Sequence, residues 1–263
     1  MNRDFHQSHW REIEADRLAR YEEMLVYRPQ HDAMIAPLGI EAGHTVVDFG
    51  CGPGFVAAEF ARRVGEHGKV FGLDINAQFV DRATLRARET QLSNIEYVHL
   101  PDDAVPLPDA SADRLFCKNV LEYVPDAAAT VAEQYRLLKP GGRIQLMDSD
   151  WGFVIVEPWG KAVTDEFFQA AGGAFKEPLI GRKLYGLACD AGFESVEVRV
   201  VASPDVAGGG MPILINMVSY IEAFDAMPAA RVENLMSELH AAIEQRRFLF
   251  VLPQFIVTGV KPQ

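Results

Sequence analysis

The chain has 263 residues, 49% of them hydrophobic and 24% charged, with a formal net charge of −12. That length and apolar fraction can bury a large core, and the acidic balance argues against a broad basic face for tracking nucleic acid. No apolar run approaches the roughly 18 residues of a membrane span, and the opening MNRDFHQSHWREIEADR is too polar for a secretory signal, so the expected setting is the cytoplasm, with no membrane partner.

Residues 8–38 carry apolar groups at helical spacing, with Ile13, Leu18, Tyr21 and Leu25 followed by Met34, Ile35 and Leu38, and Pro29 dividing two helices. Residues 1–40 therefore read as an N-terminal helical cap. His6 and His9, three apart in this polar segment, read as part of a solvated helix face. Strands and helices then alternate: TVVDFG, a helix over 55–64, KVFGLDIN, a helix over 77–90, and NIEYVHL. PDDAVPLPDAS is a proline-rich loop. ADRLFCKNV is a fourth strand, and a helix over 127–138 stops at KPGG before the fifth strand, RIQLMDSD. Helices over 160–171 and 179–190 lead into SVEVRVV, and helices over 213–226 and 229–246 precede a last strand, FVLPQFIVTGV. Seven strands joined by helical crossovers imply an α/β fold, a mostly parallel sheet with helices on both faces. The chain reads as a single domain, 1–263, with 202–247 inserted as a helical lid.

Cys51, Cys117 and Cys189 are odd in number and widely separated, and no CxxC or Cys/His cluster or His spacing suits a metal. Reduced thiols and no metal are expected. The chemistry concentrates instead in TVVDFGCGPGF. In a parallel sheet, ligands sit beyond the carboxyl ends of the strands. Gly50, Gly52 and Gly54 let the chain turn sharply there and let backbone N–H groups approach a bound molecule, while the following helix presents its positive end. A phosphate loop would need Lys and then Ser or Thr after the glycines, where this chain has Phe55, Val56 and Ala57. A dinucleotide fingerprint can be written over Gly52, Gly54 and Ala57, with Asp74 as ribose partner, and a nicotinamide oxidoreductase is the competing enzyme class. Asp48 weighs against it. A carboxylate at that place repels a diphosphate and attracts an ammonium, whereas the adjacent donors suit a carboxylate.

With that loop, the sequence resembles the class I S-adenosylmethionine-dependent methyltransferases, whose first motif has the form acid-x-Gly-x-Gly-x-Gly, here Asp48 to Gly54 with Cys51 inside it. The resemblance covers residues 45 to about 150, is looser beyond, and is close to the quinone-biosynthesis-like and natural-product group. It implies a Rossmann-like fold and S-adenosylmethionine as cofactor. It also implies that Asp74 of GLDIN binds the ribose hydroxyls, with Ile75 beside the adenine and Phe79 covering it. In LPDDAVPLPD, Asp102 or Asp103 would meet the adenine amino group, with the Ala104 backbone nearby. Asn119 of FCKNVLEYVPD would lie beneath the methionine part.

Methyl transfer from a sulfonium needs alignment and exclusion of water, and a general base only where the acceptor must lose a proton. Asp148 and Asp150 of LMDSDWGF, just past the fifth strand, are the candidate acids, and Trp151 could pack on the acceptor. Tyr21 and Tyr27 could reach over the cofactor from the cap. Met211, Ile213, Leu214, Met217 and Phe224 could line an apolar pocket for a small-molecule acceptor, accepting through O, N or C. A non-methylating protein with the same cofactor pocket is the other alternative. The sequence sets no oligomeric state.

Overall fold

The computed structural model describes residues 5–101 and 104–263. Helices α1 (Phe5–Arg11), α2 (Ala15–Met24) and the single turn α3 (Asp32–Ile35) precede β1 (Thr45–Phe49). Then come α4 (Phe55–Val64), β2 (Lys69–Asp74), α5 (Ala77–Glu89), β3 (Ile95–His99), β4 (Ala112–Lys118), α6 (Ala127–Leu137) and β5 (Leu138–Ser149). The second half holds β6 (Ile155–Glu157), α7 (Gly160–Ala171), α8 (Leu184–Asp190), β7 (Glu194–Val201), α9 (Met211–Ala223), α10 (Ala229–Glu244), β8 (Leu249–Val251) and β9 (Gln254–Val260).

Seven strands form one sheet in the order β3-β2-β1-β4-β5-β9-β7. The first five pair in parallel, and β9 runs antiparallel to both β5 and β7. Buried strands of this kind carry apolar residues on both faces. Val46 packs with Phe60 and Val64 of α4, whereas its neighbour Val47 packs on the opposite side with Val131 of α6 and Leu184 of α8. The chain winds outward from β1 to β3 and then crosses back to β4 on the other side of β1. The crevice between the ends of β1 and β4 is therefore the topological switch point, where such sheets bind ligands.

The α/β class, the seven strands and their mostly parallel arrangement are as expected from the sequence. Three details differ. The expected last strand is two, because Pro253 has no N–H for a ladder, and β8 turns away to pair with β6. Helix α2 ends at Met24, well before Pro29, which opens a 3-10 turn over Pro29–His31. His6 and His9 are buried rather than solvated. The His9 ring stacks on Phe5 and bonds its carbonyl, and burial drives its pKa down to about 4.

A second apolar core lies outside the sheet. Phe167 of α7, Leu214 and Tyr220 of α9, Leu239 of α10, Val156 of β6 and Phe250 of β8 are all buried in it. Two stretches of chain, one after β5 and one after β7, thus build this helical layer together.

Candidate functional site

Strand β1 delivers the chain into the glycine turn. Gly50, Gly52 and Gly54 all have positive φ, at 76°, 51° and 79°, a region open to glycine at little cost. A Cβ at Gly50 would come within 2.2 Å of Val120, and one at Gly54 within 2.5 Å of Tyr97. The donors of the turn are committed inside the protein. The N–H groups of Gly50 and Cys51 both bond the Leu73 carbonyl, at 2.8 and 2.9 Å, and the Gly52 N–H bonds Asp74 Oδ2 at 2.7 Å. The expectation that these N–H groups face a ligand is corrected: the glycines give the turn its shape and tie it to β2. Gly54 lies behind the cavity wall against Tyr97, whose hydroxyl bonds the Gly54 carbonyl.

The turn borders a cavity of about 620 Å³, within the usual range for small-molecule sites. Asp48, Gly50, Cys51, Gly52, Asp74, Ile75, Phe79 and Asn119 all line it. Asp48 is only 3% exposed, and its Oδ2 has no hydrogen-bond partner among the described residues. Burial and the nearby Asp74 charge raise its pKa to about 7, against the pull of Lys118. Asp74 accepts from the Asn76 N–H at 2.8 Å as well as from Gly52, and burial raises its pKa to about 6 despite those bonds. Capping of α5 falls to Asn76, whose side chain accepts from the Phe79 N–H at 2.9 Å, which leaves Asp74 to face the cavity. Phe79 is both wall and core, since it also packs on Ile13, Leu18 and Tyr21 beneath the N-terminal helices. Asn119 adopts φ +52° and holds its N–H on the Met147 carbonyl at 2.8 Å. Its buried Oδ1 lacks a partner among the described residues.

Asp102 and Asp103 lie outside the described residues. Ala104 is exposed and is not part of the cavity wall. Asp148 and Asp150 require correction, because neither lines the cavity and both are occupied locally. Asp148 accepts from the backbone N–H groups of Leu121, Val120 and Ser149 at 3.1 to 3.3 Å, fixing the turn after β4. Asp150, fully buried, forms a two-pronged pair with Arg182 at 2.6 and 2.7 Å and accepts from the Gly152 N–H. Acids at strand ends satisfy turns readily, and that local demand wins here.

The walls near the turn after β4 hold groups that the sequence reading passed over. Lys118, Glu122 and Tyr123 line the cavity, joined by Trp10 and Asn216. Lys118 was detectable in principle, since a lysine ending the apolar run LFCK is a half-buried cation in need of a reason. Glu122 is 2% exposed and accepts from Trp151 Nε1 at 2.6 Å. Tyr21 and Tyr27 both reach the cavity, as does Trp151. Tyr21 bonds Asn216 Oδ1 at 2.8 Å, and Asn216 Nδ2 in turn bonds Tyr220 at 3.0 Å, which ties α2 to α9. Of the five apolar residues expected to form a pocket, Ile213 and Met217 line the cavity, while Met211 and Leu214 belong to the core and Phe224 packs against it.

The donor set discriminates between ligands. A diphosphate would meet two carboxylates, Asp48 and Asp74, and a loop whose N–H groups are spent. A nucleoside with an amino-acid tail meets a carboxylate for ribose hydroxyls, apolar residues for a base, and unpartnered oxygens of Asp48 and Asn119 for an ammonium. The residues fit the second group and not the first.

Residues 47–146 match the protein family described as methyltransferase domain. The chain is 33% identical over 185 residues to an uncharacterized 37.1 kDa protein in transposon TN4556 of Streptomyces fradiae, covering 67% of this chain and 51% of that one. It is 36% identical over 125 residues to the ubiquinone/menaquinone biosynthesis C-methyltransferase UbiE of Escherichia coli, covering 47% of this chain and 49% of the relative. The chain thus spans about half the length of the curated relatives it matches. Among solved structures, the Haemonchus contortus phosphoethanolamine N-methyltransferase 2 in complex with S-adenosyl-L-methionine superposes with a TM-score of 0.66 at 18% identity, over 99% of this chain and 60% of that one. That likeness is one of fold.

Proposed function

Because residues 47–146 match a methyltransferase domain, we propose that the chain is a class I S-adenosylmethionine-dependent methyltransferase acting on a small-molecule acceptor. The observation that carries this reading is the unpartnered, buried Asp48 oxygen beside a glycine turn with no free donors. The cofactor supplies a sulfonium-bound methyl group, transferred by in-line displacement to an O, N or C atom. Asp74 holds the ribose hydroxyls, with Ile75, Phe79 and Leu100 around the adenine and Asp102 or Asp103 at its amino group. Asp48 and Asn119 orient the methionine tail. The relatives' names include both a C- and an N-methyltransferase, so the acceptor atom is assigned by chemistry and not by likeness.

The chain's part in such a reaction is alignment and exclusion of water. The helices within 1–40 and the 202–247 insertion serve as its cover, with α2 and α9 latched through Tyr21 and Asn216. Titration calorimetry with S-adenosylhomocysteine and with NAD tests the reading: only the former binds tightly, and Asp74→Ala weakens it by roughly 10- to 100-fold, the worth of a hydrogen bond to a charged group. Tight NAD binding, or unchanged affinity in the folded variant, overturns it. Release of S-adenosylhomocysteine with a panel of phenols, amines and quinols then identifies the acceptor atom.

A further inference from the structure

The turn after β4 presents a carboxyl that no role in cofactor binding requires. Asp148 pins the N–H groups of Val120 and Leu121, and the Glu122 carbonyl accepts from the backbone N–H groups of Lys176 and Glu177 at 2.9 and 3.1 Å. The Glu122 main chain is thereby held from both sides. Its side chain lines the cavity between Tyr123 and Trp151, with one oxygen fixed by the Trp151 indole and a further side-chain hydrogen bond to Tyr123. Both rings are immobilised from behind, Tyr123 stacked on Phe175 and Trp151 on Phe168, each with centroids 5.4 Å apart. Ile213, Met217 and Leu252 complete an apolar surround.

Resting on the methyltransferase reading, we propose that Glu122 is the acceptor-docking residue, and that it selects a neutral ring compound bearing a phenolic hydroxyl, which hydrogen-bonds the carboxyl with its ring beside Tyr123 and Trp151. A carboxylate offers about four lone-pair sites, so the indole and the Tyr123 hydroxyl together do not exhaust it. Lys118 lines the same cavity and interacts with Asp48, Asp148 and Glu122. A cationic amine would meet that ammonium and the sulfonium together, whereas a neutral hydroxyl meets no such repulsion. Burial, reinforced by the Asp148 charge, holds the Glu122 carboxyl well above the usual carboxylate range. A hydroxyl both donates and accepts, and so pairs with this carboxyl in either protonation state.

The test uses the full chain saturated with S-adenosylhomocysteine and two neutral probes, phenol and anisole, which differ only in whether the ring oxygen carries hydrogen or methyl. Calorimetry should show the phenol bound about tenfold more tightly than the anisole by the wild-type protein, the upper value of one net hydrogen bond. Glu122→Leu abolishes that preference without changing affinity for the anisole or for S-adenosylhomocysteine. Glu122→Gln spends its one oxygen on the Trp151 indole and turns an NH2 donor to the cavity, which serves the phenol and anisole oxygens alike, so the preference falls about threefold or more; it decides the matter where the leucine variant fails to fold. Trp151→Phe, which retains the carboxyl, retains the preference. A wild-type protein that fails to favour the phenol, or a Glu122→Gln variant that favours it undiminished, overturns the assignment of Glu122. Failure to bind S-adenosylhomocysteine, measured first, instead overturns the methyltransferase reading.

Discussion

The glycine-turn end of the cavity comes from residues 48–79, one continuous strand, turn, helix, strand and helix start, whereas the rest of the wall gathers Tyr21, Glu122, Trp151, Asn216 and Leu252 from separate places along the chain. The first end is held by hydrogen bonds within that stretch: the Gly50 and Cys51 N–H groups to the Leu73 carbonyl, the Gly52 N–H to the Asp74 carboxylate and the Phe79 N–H to the Asn76 side chain. The second is held by side chains that meet only when the helical layer has closed over the sheet, as Tyr21 meets Asn216 across 195 positions. A binding surface built from contiguous chain is specified locally and tolerates change elsewhere. One built from distant segments depends on the whole fold, and can be altered without disturbing the first.

Substitution at the turn should break the first end most severely. Gly50→Ala forces a side chain onto φ +76° and against Val120 at 2.2 Å. The variant should lose about 2–3 kcal/mol of stability and more than about tenfold in affinity for S-adenosylhomocysteine, read by thermal melting and calorimetry. Full affinity in a folded Gly50→Ala protein would show that the turn is not part of the site.

The next effect is electrostatic and belongs to Asp48. Its folded pKa of about 7 lies above the ordinary 3.8, so the native state holds this proton more tightly than the unfolded chain. Its contribution to stability is present below the unfolded value and is lost as pH rises through about 7. An ammonium docked on the carboxylate reverses the preference. Binding of S-adenosylhomocysteine near neutrality should therefore release a proton, with affinity rising by up to about tenfold per pH unit between about pH 6 and pH 7. Calorimetry in buffers of different ionisation enthalpy measures the release, and Asp48→Asn should abolish it. Proton release that survives in the Asn variant would assign the ammonium to another group.

The smallest effect sharpens the contrast from the other side. Tyr21→Phe removes the bond to Asn216 at 2.8 Å, and should lower stability by about 1 kcal/mol while leaving cofactor affinity within about threefold. A larger loss of cofactor affinity would mean that the two ends are mechanically coupled.

The same contrast explains what could be read in advance. Asp48, Gly50, Gly52, Asp74, Ile75, Phe79 and Asn119 were legible as cavity-lining residues because each lies at or near the carboxyl end of a strand, where a parallel sheet exposes its crevice. Gly54 was legible as a turn residue but not as the seat of Tyr97, a contact made from β3. Asp148 and Asp150 had the right address on the rim and the wrong direction. Which way an acid points at a strand end depends on competing donors, here the Leu121 and Val120 N–H groups and Arg182, and those arrive from elsewhere in the fold. His6 and His9 misled for a related reason: a polar helix reads as solvated until an aromatic layer of Tyr123 and Tyr220 closes on it.

By itself, the sequence determined the α/β winding, the place of the crevice and the kind of cofactor the crevice suits, because periodicity, glycine and one acid at a strand end act over a few residues. Tertiary structure alone decided that Glu122 and Trp151 share a hydrogen bond, that Pro253 sends β8 to β6, and that two separate stretches form one helical layer. Those outcomes depend on which distant groups satisfy buried polar atoms, and a carboxyl or an indole carries no local mark of the partner it will find.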